Sequence, residues 1–147
     1  MIILTAMNVD DLMRDLEYGS EQRSHACNSD LYSWDPDYAF LTFYTRCAGS
    51  GRVWAQKVQL MDYNYIVPEE DRDIDTFEEA KLLYPEILDS DVKVDCTCPD
   101  FAFRYRYIVD GLGSSLEEES IPPKERNPHE LGTVCKHLIS VFRKYFR

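Results

Sequence analysis

Apolar residues close to the start of the chain recur with the spacing of a helix. Asn8 can cap this helix, and Gly19 lies just beyond its end. The residues that share its inward face are Val9, Leu12, Met13 and Leu16. The next stretch, residues 20–37, is polar and mixed, and its Trp-Asp-Pro-Asp run is typical of a turn. The pattern predicts a short amphipathic helix followed by a polar segment without a clear period.

Two runs rich in aromatic and β-branched residues come next. Residues 38–47 and 52–62 have the composition of strands, and the Ala-Gly-Ser-Gly sequence between them suits a hairpin turn. An acidic loop then leads to a helix, for which Asp75 and Glu78 have the spacing of a capping box and Pro85 marks the end. This part of the chain predicts a β-hairpin and a second helix.

The last third of the chain mixes strand and helix signals. Residues 92–96 alternate as a strand does, whereas residues 134–145 repeat with the spacing of an amphipathic helix. Residues 100–110 fit either a strand or a helix, with the helix favoured, and residues 113–128 indicate an exposed loop. The predicted fold class is α+β: a small antiparallel sheet with a β-hairpin and flanking helices.

Length and composition fit one domain, residues 1–147, with 44% hydrophobic residues to build a core. The sequence shows neither a membrane span nor an export signal, so we expect a cytoplasmic protein without a membrane partner. Five cysteines in such a chain favour reduced thiols and metal binding over disulfide bonds. Two of them have no evident role, and we expect Cys27 in a surface loop and Cys47 as a small buried residue at a strand end.

The net charge of −11 is concentrated in the first two thirds of the chain. Residues 1–95 hold 8 Lys and Arg against 20 Asp and Glu, whereas residues 96–147 hold 8 against 7. We therefore divide the domain into an acidic α+β body, residues 1–91, and a C-terminal segment, residues 92–147. Proteins that bind DNA through its phosphates present a basic face, so this distribution argues against nucleic acid as the main partner.

Four metal-ligand side chains stand in two close pairs in the C-terminal segment: Cys96, Cys98, Cys135 and His137. Residues i and i+2 of a strand point to the same face, so Cys96 and Cys98 can reach one ion. Cys135 and His137 cannot do so from a regular helix, and we expect Cys135 before the helix and His137 in its first turn. Four Cys and His ligands make a closed zinc site. The sequence predicts one structural Zn²⁺ that fastens the C-terminal helix to the sheet.

The sequence also lacks the usual patterns of an enzyme. A zinc ion with four protein ligands has no open position for water. The chain has no Ser-His-Asp pattern, no phosphate-binding glycine loop and no His-Glu-x-x-His motif. We therefore expect no catalytic residues and no enzymatic activity.

The pattern Cys-x-Cys, spacer, Cys-x-His resembles the SWIM-type zinc finger, a pair of strands followed by a helix. The resemblance covers residues 92–146 and implies that the same four residues are the zinc ligands, with Phe101 as the aromatic residue that follows the first pair in the family. The spacer, residues 99–134, is 36 residues long, which is longer than usual for the family. The cost of closing a loop grows only slowly with its length, so the zinc site tolerates this insertion.

Two functions follow from the resemblance. The long spacer, the Cys-Pro-Asp-Phe run and the later Arg-Asn-Pro run are similar to small proteins of large tailed bacteriophages. This similarity implies a zinc-stabilised protein-interaction or structural protein, a virion component near the head-to-tail region, in the host cytoplasm or the virion. The SWIM domains of helicase-like and transposase-like proteins imply the alternative, a nucleic-acid-binding module in DNA packaging or transcription. The charge distribution favours the first function.

The candidates for a nucleic-acid contact are four basic residues of the C-terminal segment: Arg104, Arg106, Lys124 and Lys136. The two arginines alternate with Tyr105 and Tyr107, and basic and aromatic side chains together can bind a single strand. The alternative, which we favour, is that the tyrosines lie in the core and the arginines extend past them to the surface.

Overall fold

The computed structural model describes residues 6–117, 119, 123, 127 and 129–147. The fold is α+β, as predicted. Its helices and strands in chain order are α1 (Val9–Met13), α2 (Tyr18–Ser24), β1 (Cys27–Asp35), β2 (Phe40–Cys47), β3 (Val53–Leu60), α3 (Tyr63–Ile66), α4 (Phe77–Leu83), β4 (Val92–Cys96), α5 (Arg106–Gly111) and α6 (Lys136–Tyr145). Short 3₁₀ turns at Glu69–Asp71 and Pro85–Asp89 flank α4, and a π-helical turn at Phe101–Tyr105 precedes α5.

Four antiparallel strands form one sheet in the order β1-β2-β3-β4. Alternate residues of the strands are buried on the inner face, where α6 packs against β1, β2 and β3. Phe43, Val58 and Val94 are completely buried there and form part of one hydrophobic cluster with the inward side of α6. The predicted hairpin is confirmed as β2 and β3, and the predicted strand over residues 92–96 is confirmed as β4.

Strand β1 lies where the sequence indicated only a polar segment. The inward residue Ser29 is polar, which hides the alternation of apolar and polar residues that marks a strand. The Ser29 hydroxyl hydrogen-bonds the Thr45 hydroxyl on β2 at 2.6 Å. Cys27 and Cys47 are opposite each other in the pairing of β1 with β2, and they form a disulfide bond with sulfurs 2.00 Å apart. The prediction of reduced thiols was therefore wrong for this pair, and so was the surface loop expected at Cys27. The unrecognised strand is what brings the two sulfurs together.

The helices follow local capping rules with two differences from prediction. Asn8 caps α1 as predicted, but α1 ends at Met13 and a separate helix α2 follows. The cap of α4 is Thr76, whose hydroxyl accepts a hydrogen bond from the backbone, and not Asp75 as predicted. Residues 101–111 are helical, as favoured, and α6 begins one residue before His137.

Glu17 caps α2 through hydrogen bonds from the backbone amides of Gly19 and Ser20, at 2.9 and 3.0 Å. Burial by itself would raise the pKa of Glu17, but these amide hydrogen bonds, together with the Ser20 hydroxyl and the charge of Arg104, outweigh burial and lower the pKa. The charged carboxylate therefore stabilises the start of α2.

The two edges of the sheet are both covered. On β1, the backbone amide of Leu31 donates to the Tyr145 hydroxyl at 2.9 Å, and Lys144 donates to the Ser29 carbonyl at 2.7 Å. On β4, Val94 exchanges hydrogen bonds with Ser114 and Leu116, so the long spacer lies along this edge. Open edges invite pairing with other chains, and these contacts occupy part of each edge. None of the helices in the described part of the chain is both long and apolar enough to span a bilayer.

Candidate metal centre

The first ligand pair lies where β4 ends. Cys96 is the last residue of β4 and points to the inner face. Thr97 points away and is tied to Ala55 of β3 by two hydrogen bonds of 2.9 Å, which extend the pairing by one residue. Cys98 returns to the inner face, as the period of a strand requires. The sulfur of Cys98 accepts a hydrogen bond from the backbone amide of Phe101 at 3.3 Å.

The second pair lies at the beginning of α6. Cys135 is the N-cap residue and His137 lies in the first turn, as predicted. The approach to this turn is fixed by the N-terminal helices: the Thr133 hydroxyl donates to the Leu12 carbonyl at 2.6 Å. Gly132 has a φ of 81°. It lies so close to Glu17 that a Cβ on residue 132 would stand 2.8 Å from the backbone nitrogen of Glu17. Only glycine fits this approach without strain.

The four predicted ligands converge on one point. One sulfur or ring nitrogen from each of Cys96, Cys98, Cys135 and His137 lies within 4.8 Å of all the others. The sulfur of Cys96 and Nδ1 of His137 are 3.8 Å apart. All four residues are almost completely buried, with His137 the most exposed at 3%. The arrangement can hold one metal ion, and it brings the end of β4 next to the beginning of α6.

A chain of buried hydrogen bonds leads to one of these sulfurs. The Gln56 amide donates to the sulfur of Cys96 at 3.4 Å, while its oxygen accepts from Thr45 at 2.5 Å. Thr45 contacts Ser29 at 2.6 Å, and Ser29 donates to Ser140 of α6 at 2.8 Å. Groups that hydrogen-bond metal ligands fix their orientation. Gln56 was not among the predicted site residues, although a glutamine at an inward position of a strand signals a buried polar contact.

The buried thiols differ in their affinity for protons. Burial raises the pKa of Cys96 and of Cys135, because a thiolate is poorly solvated in the core. Hydrogen bonds from Cys135 and Cys96 instead hold the pKa of Cys98 well below its usual range. The protein thus favours a thiolate on Cys98, whereas thiolates on all three cysteines need a cation among them. A bound metal ion would supply that charge, because coordination deprotonates thiols outright.

The Cys27–Cys47 disulfide lies next to this cluster. The same histidine, His137, has a ring nitrogen within 4.8 Å of both disulfide sulfurs. On another side, the ring of Trp54 lies 6.5 Å from the imidazole, measured between ring centroids. While bonded to each other, Cys27 and Cys47 present no thiolate to a metal. His137 is therefore held between a set of three thiols and a disulfide.

The basic residues predicted to contact nucleic acid do not form one free patch in the described part of the chain. Arg104 is ion-paired with Glu17 at 3.8 Å and with Asp100 at 3.7 Å. Arg106 is ion-paired with Asp95 at 2.9 Å, and its side chain is 17% exposed. Lys136 is the first residue of α6 and is half-buried. Lys124 lies outside the described residues.

The tyrosines between the arginines also have defined places. Tyr105 is completely buried and its hydroxyl hydrogen-bonds Ser20 at 2.5 Å, whereas Tyr107 is partly buried. The interpretation that we favoured, with core aromatics and arginines beside them, agrees with this placement for Tyr105.

Comparison with known proteins gives no independent assignment. No protein-family model matches the chain, and no curated protein or solved structure matches it. The resemblance to SWIM-type zinc fingers therefore stays a prediction that depends on the four ligand residues and their spacing.

Proposed function

We propose that the buried cluster is a structural zinc site. Three sulfurs and one imidazole are a donor set that suits Zn²⁺. Two sulfurs that are each 2.3 Å from a tetrahedral ion stand about 3.8 Å apart, and the four ligand atoms of this protein lie within 4.8 Å of one another. Zinc would hold Cys96, Cys98, Cys135 and His137, and it would supply folding free energy by joining β4 to α6.

The proposed role of the protein is non-enzymatic. Four protein ligands leave a zinc ion no position for a reacting water or substrate. The burial of all four ligands supports the same conclusion, because a substrate has no path to the ion while they stay in place. The metal then acts as a cross-link within the fold.

We further propose that the protein is a protein-interaction or structural component. The observation that carries this proposal is the closed, buried centre in an acidic chain. A metal ion in such a centre would stabilise the fold, and with it the binding surface, but would not itself contact a partner. The ion pairs of Arg104 and Arg106 weigh against the alternative, a SWIM-type module for DNA packaging or transcription. The more specific proposal, a bacteriophage virion component near the head-to-tail region, depends on the sequence resemblance alone.

Fluorescence anisotropy of labelled single- and double-stranded DNA tests the choice between these functions. The zinc-loaded protein is titrated against each DNA from low to physiological salt. We expect no binding, even at low salt where contacts to phosphates are strongest. Micromolar binding with a clear salt dependence, weakened by Arg104→Gln or Lys136→Gln, would overturn the protein-interaction proposal in favour of the nucleic-acid module.

A further inference from the structure

The sheet has an outer face, opposite α6, that carries exposed aromatic side chains. Tyr32 is the extra residue of a β-bulge between Leu31 and Ser33, and a bulge can redirect a side chain. Tyr32 is 71% exposed and Tyr44 is 40% exposed, and their rings meet edge to face with centroids 5.1 Å apart. Val53, on β3, is also exposed. Exposed tyrosines next to an apolar residue are typical of a binding surface.

The same outer face is basic, although the chain as a whole is acidic. Arg46, Lys57 and Lys93 lie on it, and none of them is in an ion pair within the described part of the chain. Of its acidic residues, Asp30 is paired with Lys144 and Asp95 with Arg106, and Asp35 lies at the far end of β1. A chain of net charge −11 thus presents, on one aromatic surface, three basic residues without an ion pair to another described residue.

A second exposed surface has the opposite character. The side of α4 that faces solvent carries Glu78, Glu79, Leu82 and Leu83, which we call the α4 face. Leu82 is 84% exposed and Leu83 is 58% exposed, which is unusual for two adjacent leucines. Glu79 makes no ion pair in the described part of the chain, and the acidic turn Glu69–Asp71 precedes this helix. The α4 face combines apolar and acidic groups where the outer face combines aromatic and basic ones.

The two surfaces lie on different sides of the molecule. Phe77, on the buried side of α4, packs against Phe146 at the end of α6, with ring centroids 5.7 Å apart. Helix α6 lies on the inner face of the sheet, so α4 belongs to that side as well. One copy can therefore present its outer face to one neighbour and its α4 face to another at the same time.

We propose that the outer face of one copy docks on the α4 face of a second copy. This inference rests on the proposed protein-interaction function and names the partner as the same chain. Charge complementarity matches the two surfaces, since Arg46 and Glu79 make no ion pair within the described residues of one chain and can meet across the contact, while Tyr44 packs on Leu82. Because the two surfaces differ, the contact is head to tail, and its repetition gives a closed ring or an open filament.

Sedimentation velocity of the full zinc-loaded chain over a concentration series tests this contact. The measurement is made at physiological salt, where a Debye length of about 8 Å screens the repulsion between two acidic molecules but not a direct ion pair. One variant, Tyr44→Ala with Arg46→Gln, alters the outer face. The other, Glu79→Gln with Leu82→Ala, alters the α4 face. We expect each variant to self-associate at least ~10-fold more weakly than the unaltered protein.

A matched control and a mixing experiment sharpen the test. The control, Tyr18→Ala with Arg14→Gln, changes the same residue types at exposed positions, in α2 and just after α1, and should assemble like the unaltered protein. When the two altered proteins are mixed, each still has one intact surface, so they should form dimers of one copy of each and nothing larger. Metal content and circular dichroism of every variant establish that it is folded.

Three results would overturn the proposal. A protein that stays monomeric at its highest soluble concentration has no such contact, and the protein-interaction function would then require a different partner. Assembly that neither variant weakens would place the contact elsewhere on the chain. Binding of single-stranded DNA that is lost in the Tyr44→Ala, Arg46→Gln variant would make the outer face a nucleic-acid surface, and it would overturn the proposed function as well.

Discussion

The Cys27–Cys47 disulfide gives a prediction whose size can be worked out from the fold. The bond joins residues 20 positions apart, at the open end of the β1–β2 pair. Removing it frees the unfolded chain from a closed loop of about 20 residues, and the loop-entropy relation gives about 3.3 kcal/mol at 25 °C for a loop of that size. For a chain of this length, such a loss lowers the melting temperature by about 7–13 °C.

The test replaces both cysteines by serine and measures urea unfolding of the zinc-loaded protein. We expect the free energy of unfolding to fall by about 3 kcal/mol. A reducing agent should destabilise the unaltered protein by a similar amount and leave the Cys27→Ser, Cys47→Ser variant unchanged, which makes reduction the matched control. The metal content should stay at one ion per chain, since His137 is carried by α6 and not by the disulfide.

Two results would refute this reasoning. Equal stability of the two proteins would show that the cross-link does not constrain the unfolded chain as the loop model requires. Loss of the metal in the double variant would show that Cys27 or Cys47 is a ligand, and that the four-residue set is incomplete.

Four further predictions concern the metal centre and its supports. Elemental analysis should find one zinc per chain. The His137→Ala variant should lose both the zinc and its helical circular dichroism signal, because structural zinc supplies folding free energy. A metal-free variant with unaltered helix content would contradict this prediction. Gln56→Leu should weaken zinc binding about 10–100-fold in a chelator competition, because the sulfur of Cys96 loses its hydrogen bond. Unchanged zinc affinity would show that the buried hydrogen bonds through Gln56 do not support the metal site. Gly132→Ala should cost more than about 1 kcal/mol in urea unfolding, because it combines a positive φ with a clash against Glu17. The pKa of Glu17 is lowered in the folded state, so its carboxylate stabilises the fold above its unfolded pKa near 4.5. This stabilisation is lost as the pH falls through the pKa of the folded state. Glu17→Gln should therefore make the free energy of unfolding depend less on pH on the acid side.

The convergence of the four candidate metal ligands could be predicted because their spacing is local. Two pairs spaced i, i+2 require a strand end and a helix start, and both are visible in the apolar pattern around Cys96 and His137. The hairpin of β2 and β3 was equally clear, since most of its inward positions are apolar and its turn is rich in glycine.

The rest of the centre depends on contacts between distant residues. Strand β1 was missed because its inward position Ser29 is polar, so the alternation of apolar and polar residues is broken there. The Ser29 hydroxyl is buried through hydrogen bonds with Thr45 and with Ser140, which lies 111 residues away. The disulfide depended on that strand, so no count of cysteines could pair Cys27 with Cys47. The hydrogen bond from Gln56 to Cys96 spans 40 residues, so local sequence could indicate a buried polar contact at Gln56 but not its partner.

The cover on the edge of β1 has a consequence for how the protein is made. Leu31 and the Tyr145 hydroxyl that satisfies its amide are separated by 114 residues. At synthesis rates of 5–20 residues per second, about 6–23 seconds pass between the emergence of the strand and of the helix that covers it. During that interval nascent chains on neighbouring ribosomes can pair through β1. The yield of folded protein should therefore fall as ribosomes crowd on its messenger RNA, and slower initiation of translation should restore it.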